Sequence, residues 1–331
     1  MQAVILPRFG PPGVLAVASL PDPSPAPGRV LIAVTAAGVT FTDTQIRAGN
    51  GPSAHRPRLP VIPGSSVGGM ITAVGSGVDP SLVGTRVVSA TGGSGGYAEQ
   101  VTVDASEPIA VPAQLITTDA VALLADGRTA LALTALAPPA PGEWVLVEAA
   151  AGGVGHLLVQ LAHQAGARVI AAAGRADKRQ LALSLGAELA VDYTMAGWQE
   201  TVREVTGGKG VSLVFDGVGG ETGQQALGLL QPGGRFCISG AASGTVTTVP
   251  KPGPRTWISV IGLWSAERPA GRLRELARAA LQAAAAGQLR VVIGRTFPLP
   301  QASRAHAAIE ARATIGKTLL SDCAVAAGVS A

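Results

Sequence analysis

The residues that most constrain the fold of this chain run from Trp144 to Gly155 and read Trp-Val-Leu-Val-Glu-Ala-Ala-Ala-Gly-Gly-Val-Gly. Val145, Leu146 and Val147 form a short apolar, β-branched run, the pattern of a strand buried on both faces. Ala150-x-Gly152-x-x-Gly155 follows, a dinucleotide-binding fingerprint with alanine in place of its first glycine. Val154, Leu157, Leu158, Leu161 and Ala165 then recur at helical spacing. A diphosphate needs backbone N–H donors and the positive end of a helix dipole, and a turn without side chains lets it reach both. Gly152 removes the Cβ that would block the diphosphate, and Gly155 lets the helix sit close to the strand. A tight turn with no ligand would use the same glycines, but the order strand, glycine-rich turn, helix favours the nucleotide.

At 331 residues the chain is long for one core, and two domains are expected. Hydrophobic residues make up 47%, enough for a substantial core without staples. The net charge of +4 is small for this length and no Lys/Arg block occurs, so no nucleic-acid partner is expected. Apolar runs are interrupted by Gly, Pro and charge before they reach membrane length, so no membrane partner is expected. The first residues carry no charged leader with a cleavage site, which reads as cytoplasmic. Cys237 and Cys323 are the only cysteines, too few and too far apart for a disulfide framework or a thiolate zinc cluster.

Residues 1–120 read as short strands between turns, the texture of a compact β-rich domain. Strands at 4–6 and 14–20 form a hairpin around Gly10-Pro11-Pro12-Gly13, and a Pro-rich connection leads to a strand at 30–36. Thr42 or Asp43 is expected to cap a short helix ending at Gly49. Strands follow at 67–74, 86–89 and 97–103, the last after a glycine loop at 92–96. From about Asp119 the texture changes to Ala/Leu helices alternating with apolar strands. A helix pair is expected over 119–136, then strands at 169–173, 211–215, 236–239 and 257–262, with a helix at 178–185 closed by Gly186. This is a doubly wound α/β unit, whose ligand crevice lies at the carboxyl ends of its strands. A long helix over 272–286 precedes a strand at 291–297, a helix at 302–312 and a strand at 318–320, and this tail is expected to return to the first domain.

These residues resemble the medium-chain dehydrogenase/reductase superfamily, and within it the zinc-free quinone oxidoreductase branch related to ζ-crystallin. The likeness rests on Ala37-Gly38-Val39-x-x-x-Asp43, on Leu59-Pro60 with Gly64 and Gly69, and on Val74-Gly75-Ser76-Gly77-Val78. It continues through Gly95-Gly96-Tyr97-Ala98-Glu99, the fingerprint, Phe215-Asp216-x-Val218-Gly219 and Gly316-Lys317. It implies an α/β protein, with a GroES-like β-rich catalytic domain at 1–120 and 288–331 beside a Rossmann domain, a doubly wound parallel sheet, at 121–287. It also implies NADPH as cofactor and a homodimer.

Zinc-dependent members carry Cys where this chain has Thr40 and His where it has Ser65, and the region of their third ligand holds Ala125 and Asp126. Hydroxyls do not replace thiolate and imidazole on zinc, and no metal is expected. The quinone oxidoreductases carry Asn and Tyr where this chain has Thr40 and Gln45, and usually Glu where it has Ser66. Tyr at the second place is a candidate donor to the substrate oxygen. Gln45 can donate through its amide but cannot relay a proton as an acid would. The loop expected before the nucleotide-binding unit, Asp126-Gly127-Arg128-Thr129, also departs from relatives that are apolar before the Thr.

An acid after the second strand of the nucleotide-binding unit would accept from the adenosine ribose and repel a 2′-phosphate. This chain offers Gly174-Arg175 there, with Lys178 and Arg179 one turn on, cations that suit a phosphate dianion. By resemblance, Tyr193 lies near that phosphate, Ser239 and Gly240 border the nicotinamide or its ribose, and Lys317 touches the cofactor. The cofactor set is Ala151, Gly152, Gly153, Val154, Gly174, Arg175, Lys178, Tyr193, Val218, Ser239, Gly240 and Lys317.

The reaction these features imply is hydride transfer from NADPH to a quinone or to the β-carbon of an α,β-unsaturated carbonyl, with charge building on the acceptor oxygen. Gln45, Thr129 and, behind them, Thr40 are the candidate donors, and solvent can supply the proton. Asp43 reads as a structural cap, Asp126 and Arg128 as an ion pair, and Cys237 as a small buried hydrophobe. His55, His156, His163 and His306 form no ligand pattern, and Trp264 suits a pocket wall or a core equally. Two other readings stay open. One is an NADPH-binding sensor or scaffold without turnover, suggested by Gln45. The other is a reductase of an unusual conjugated imine or ring system.

Overall fold

The computed structural model describes residues 1–51, 56–250, 256–259 and 270–321. It divides into two compact units, Met1–Ala125 with Ala277–Ala331, and Asp126–Leu276. The sequence puts these divisions at 120/121 and 287/288; in the structure both fall inside helices, α2 (Thr117–Leu136) and α7 (Ala270–Ala285). The expectations about His55, Trp264, Cys323 and the strand beyond residue 259 lie outside the described residues.

The first unit is built on β3 (Arg29–Val39). Val30, Ile32 and Val34 alternate with half-exposed neighbours and bury fully, the period-two pattern of a strand with one face in the core. β3 pairs antiparallel with β4 (Ser66–Val74), β6 (Gln100–Asp104) and β15 (Lys317–Ser321). β5 (Arg86–Ala90) and β7 (Ile109–Ala110) extend one side, and β14 (Ile293–Pro298) runs parallel to β15 at the other. Through β15 the C-terminal segment thus joins the sheet of the first unit. β1 (Gln2–Ile5) and β2 (Ala16–Ser19) form the expected hairpin, with one short helical turn at Pro12–Val14 between them.

Helix α1 (Phe41–Ala48) corrects the expected cap. Thr40, not Thr42 or Asp43, is the N-cap: its hydroxyl accepts from the Asp43 N–H at 3.1 Å while the Asp43 carboxylate accepts from the Thr40 N–H at 2.8 Å. This reciprocal box satisfies two donors that a helix start otherwise strands. Gly49 ends the helix in the left-handed conformation (φ 86°) that glycine adopts without strain.

Among the described residues the second unit holds six parallel strands: β8 (Trp144–Glu148), β9 (Arg168–Ala172), β10 (Leu189–Val191), β11 (Val211–Asp216), β12 (Leu230–Ile238) and β13 (Thr256–Ser259). Their spatial order is β10-β9-β8-β11-β12-β13. The chain winds outward from β8 in one direction, then crosses and winds outward from β11 in the other, which makes β8/β11 the topological switch point. Helices α3 (Gly155–Gln164), α4 (Ala176–Ser184), α5 (Trp198–Val205) and α6 (Gly220–Leu227) make the crossovers. β10 escaped the sequence reading because three residues are too short a run to register, and α5 because it buries only Trp198 and Val202.

The expected helix pair at 119–136 is one helix, α2, and Asp126-Gly127-Arg128-Thr129 lies within it rather than in a loop. Glycine inside a helix costs about 1 kcal/mol. Burial of Ala120, Val121, Leu123 and Leu124 before it, and of Ala130 and Leu133 after it, outweighs that penalty.

Candidate cofactor-binding site

The turn after β8 is shaped by backbone contacts. Ala149 takes a left-handed conformation (φ 47°), and its carbonyl accepts the Gly152 N–H at 2.7 Å. A Cβ on Gly155 would come within 2.3 Å of that carbonyl oxygen and 3.0 Å of Ala150 Cα. Only glycine permits so close an approach of α3 to the strand, as the fingerprint requires. A Cβ on Gly152 would meet the same oxygen at 3.1 Å, a far milder conflict. Gly153 has a constraint the sequence did not reveal: a Cβ there would lie 2.1 Å from Oδ2 of the buried Asp126. No side chain caps α3, so the positive end of its dipole stays available to an anion.

The opposite wall is the turn after β11. The Asp216 carboxylate accepts from the N–H groups of Val218 (3.0 Å) and Gly219 (2.7 Å) and from the Thr247 hydroxyl. The Asp216 carbonyl accepts from the Ser239 N–H (2.7 Å), the Ser239 hydroxyl (2.9 Å) and the Gly240 N–H (3.2 Å). Val218, Ser239 and Gly240 are thus gathered at the carboxyl ends of β11 and β12. Gly240 packs so closely that a Cβ would lie 2.5 Å from the Gly217 carbonyl oxygen.

At the end of β9, Gly174 lies against Thr194 and Tyr193: a Cβ there would be 2.7 Å from Thr194 Cγ2 and 3.5 Å from Tyr193 Cε2. Arg175 is exposed and forks onto Asp177, its Nε donating at 3.0 Å. Lys178 follows half-buried on the first turn of α4. Arg179 is committed elsewhere, donating to the Ala173 carbonyl (3.1 Å) and to Asp192 (2.6 Å). Arg175 and Arg179 are thus each paired with a carboxylate in this structure.

Two of the candidate donors belong to α1 and its cap in the first unit. Thr40 donates its hydroxyl proton to Asp43 Oδ2 at 2.7 Å, so its one proton is engaged in the cap. Gln45 is half-buried, and its amide makes only a long bond, 3.3 Å, to the Thr44 hydroxyl. Lys317 opens β15 and is buried against Gly38, where a Cβ would lie 3.2 Å from its Cε. Thr129 is half-buried on α2, in the second unit. Cys237 is fully buried on β12, and burial pushes its thiol up to about 12. Among the described residues no group of three or more His, Cys, Asp or Glu side chains could hold a metal ion, and no helix is long and apolar enough to cross a membrane.

Three buried polar features were missed in the sequence. Asp126 packs on the fingerprint turn. Glu148 stands at the end of β8 beside Asp216. Tyr97 bonds His306 inside the first unit. The available signal for the second was an acid closing each of two apolar strands that flank a switch point.

Comparison with known proteins agrees with this geometry. Residues 26–113 match the alcohol dehydrogenase GroES-like domain, and residues 153–292 the zinc-binding dehydrogenase family. A 2-haloacrylate reductase of Burkholderia sp is 33% identical over 97% of this chain and 98% of its own length. A mycobacterial protein solved in complex with NADPH superposes with a TM-score of 0.87 at 37% identity, covering 97% of this chain and all of that one (100%). The quinone oxidoreductase of Escherichia coli, also complexed with NADPH, superposes with a TM-score of 0.86 at 31% identity over 97% of this chain and 100% of its own.

Proposed function

Since the chain belongs to the quinone oxidoreductase branch of the medium-chain dehydrogenase/reductase superfamily, we propose that it is an NADPH-dependent oxidoreductase that reduces a quinone or an α,β-unsaturated carbonyl compound. The observation that carries this reading is the bare turn at the β8/β11 switch point, where Gly155 leaves no room for a Cβ and α3 has no side-chain cap. The turn fits a diphosphate, and Arg175 with Lys178 at the end of β9 fits the extra phosphate that separates NADPH from NADH.

Ala151 to Val154 would hold the diphosphate, Arg175, Lys178 and Tyr193 the adenosine end, and Val218, Ser239 and Gly240 the nicotinamide half. Lys317 would touch the cofactor as well. NADPH supplies the hydride when bound. The acceptor needs an electron-poor carbon conjugated to a carbonyl. A quinone and a 2-haloacrylate, named for two of the relatives, share that property. As a hydride adds to that carbon, the π electrons move onto the acceptor oxygen. The Gln45 amide and the Thr129 hydroxyl are the proposed donors to that developing charge, and a solvent proton completes the product. Thr40 would have to release Asp43 to join them.

The test is anaerobic NADPH oxidation against a panel of quinones, cyclic and linear enones, and 2-haloacrylates, followed by loss of reduced-nicotinamide absorbance. Turnover with at least one class is expected. Saturable NADPH binding with no oxidation across the panel would overturn hydride transfer in favour of a binding protein.

A further inference from the structure

Two carboxyl groups lie buried together at the switch point, and neither belongs to the glycine fingerprint. Glu148 ends β8 at 2% exposure, and Asp216 ends β11 with none. They share one donor: the Val218 N–H lies 3.3 Å from Glu148 Oε2 and 3.0 Å from Asp216 Oδ1. Asp216 has further donors in Gly219 N–H and the Thr247 hydroxyl. Glu148 is poorly supplied, because that one long bond serves Oε2 while Oε1 is buried without a hydrogen-bond partner. Two ionised carboxylates this close in a dry site repel each other strongly, and the carboxyl with fewer donors takes the proton.

We propose that Glu148 and Asp216 hold one proton between them, Glu148 as the acid and Asp216 as the carboxylate, and that this pair fixes the turn at 217–219 against which the nicotinamide nucleotide binds. Glu148 is then a positioning residue for the cofactor, an inference that rests on the assignment of the nucleotide to this crevice. Protonated Glu148 donates to Asp216, and the pair carries a single charge satisfied by two backbone amides and a hydroxyl. The Asp216 carboxylate is the charged group facing Glu148. The strands and helices around the pair also carry Arg168 on β9, His156 and His163 on α3, Glu221 on α6, and Arg235 and Cys237 on β12, but the charge that acts on the Glu148 carboxyl is that of Asp216. What the turn and the 245–247 segment bring to the pair is neutral, the amides of Val218 and Gly219 and the Thr247 hydroxyl.

Burial, the charge of Asp216 and the hydrogen bond with it hold the Glu148 proton well above the ordinary carboxyl range. Loss of that proton places a second charge beside the first, drives the two strand ends apart through the turn, and adds negative charge where a diphosphate must bind. The sign is therefore fixed: NADPH binding weakens as pH rises through the Glu148 transition. Folding stability falls in the same direction, because the unfolded chain gives up this proton at a lower pH than the native one.

The decisive experiment combines two readouts on the full chain. Fluorescence titration with NADPH from neutral to about pH 10 should show the wild-type Kd rising by about tenfold or more. Glu148→Gln, which keeps a donor without a charge, should restore neutral-pH binding relative to Glu148→Ala and flatten the pH curve. Infrared spectroscopy should show a protonated-carboxyl stretch in the wild type at neutral pH that Glu148→Gln lacks and alkali removes. A wild type without that band, or a Glu148→Gln variant with the wild-type pH dependence, overturns the proposal. Should the variants fail to fold, the infrared and Kd transitions of the wild type must still coincide, and their separation overturns it equally. If NADPH fails to bind at neutral pH while the band is present, the cofactor assignment fails and the shared proton stands.

Discussion

The Tyr97 hydroxyl and Nε2 of His306 meet at 3.0 Å with their rings edge to face, in a fully buried contact that joins positions 209 residues apart. Beside them, buried Arg47 of α1 donates to the Gly10 and Thr44 carbonyls and pairs with Glu310 at the end of α8 (Ala302–Glu310). Helix α1, which carries Gln45, is thus locked by the tail of the same unit. Burial, with a smaller push from the Arg47 charge, lowers His306 from 6.5 to about 3, so it stays neutral in the fold.

That histidine makes the first unit acid-sensitive. The unfolded chain takes up its proton as pH falls below about 6.5, while the native chain resists down to about 3. Stability present above that window is lost as pH falls through it, at up to about 1.4 kcal/mol per pH unit. Urea unfolding at a series of pH values should show this slope in the wild type and a shallower one in His306→Gln.

Tyr97→Phe should destabilise by about 1–3 kcal/mol at neutral pH, because it leaves a buried ring nitrogen without its partner. The urea midpoint checks this, and a change below about 0.5 kcal/mol would show that the contact contributes little.

The fingerprint glycines should separate fold from binding. Gly155→Ala forces backbone apart at 2.3 Å and should cost roughly 1–3 kcal/mol of stability as well as NADPH affinity. Gly152→Ala meets one oxygen at 3.1 Å and should weaken NADPH binding with much less effect on the unfolding midpoint. Calorimetric titration beside thermal unfolding distinguishes the two.

Removing the cations at the end of β9 should change cofactor preference. A charged hydrogen bond is worth about 1.5–3 kcal/mol, so Arg175→Ala and Lys178→Ala should each raise the NADPH Kd by about tenfold or more and leave NADH nearly unaffected. Asp177 holds Arg175 in a fork; Asp177→Asn should tighten NADPH by freeing that guanidinium and removing a negative charge. Equal losses for both nucleotides would place the 2′-phosphate elsewhere.

Thr40, which caps α1, and Gln45, which lies on it, should behave differently. Thr40→Ala removes the cap and should cost about 1 kcal/mol of stability. Gln45→Leu should leave stability within about 0.5 kcal/mol yet lower kcat/KM by about tenfold or more through loss of a donor to the developing charge. Steady-state kinetics beside urea unfolding checks both, and unaltered kinetics in Gln45→Leu would remove Gln45 from the mechanism.

The sequence showed most clearly the features that depend on neighbours along the chain. The fingerprint, its strand and its helix follow from glycine spacing and apolar period. Contacts across the fold were opaque. Nothing local to Gly153 shows that Asp126 packs on it, since α2 brings that carboxylate from an earlier part of the chain. Residues 126–129 read as a loop because the burial that holds them in α2 on either side is a tertiary effect. Nor does the sequence show that Arg179 pairs with Asp192 and donates to the Ala173 carbonyl. The Thr40 cap was missed by a small shift in register, because its box closes with Asp43 where Glu or Gln is the usual partner.

The pairing of β15 with β3 also sets an order of events on the ribosome. The nucleotide-binding unit is continuous in sequence and can close as soon as its last strand emerges. The first unit, begun earlier, must wait with an open sheet edge until Lys317–Ser321 has been made. The half translated first is thus completed last, and the nascent chain spends that interval with β3 exposed to the wrong partner.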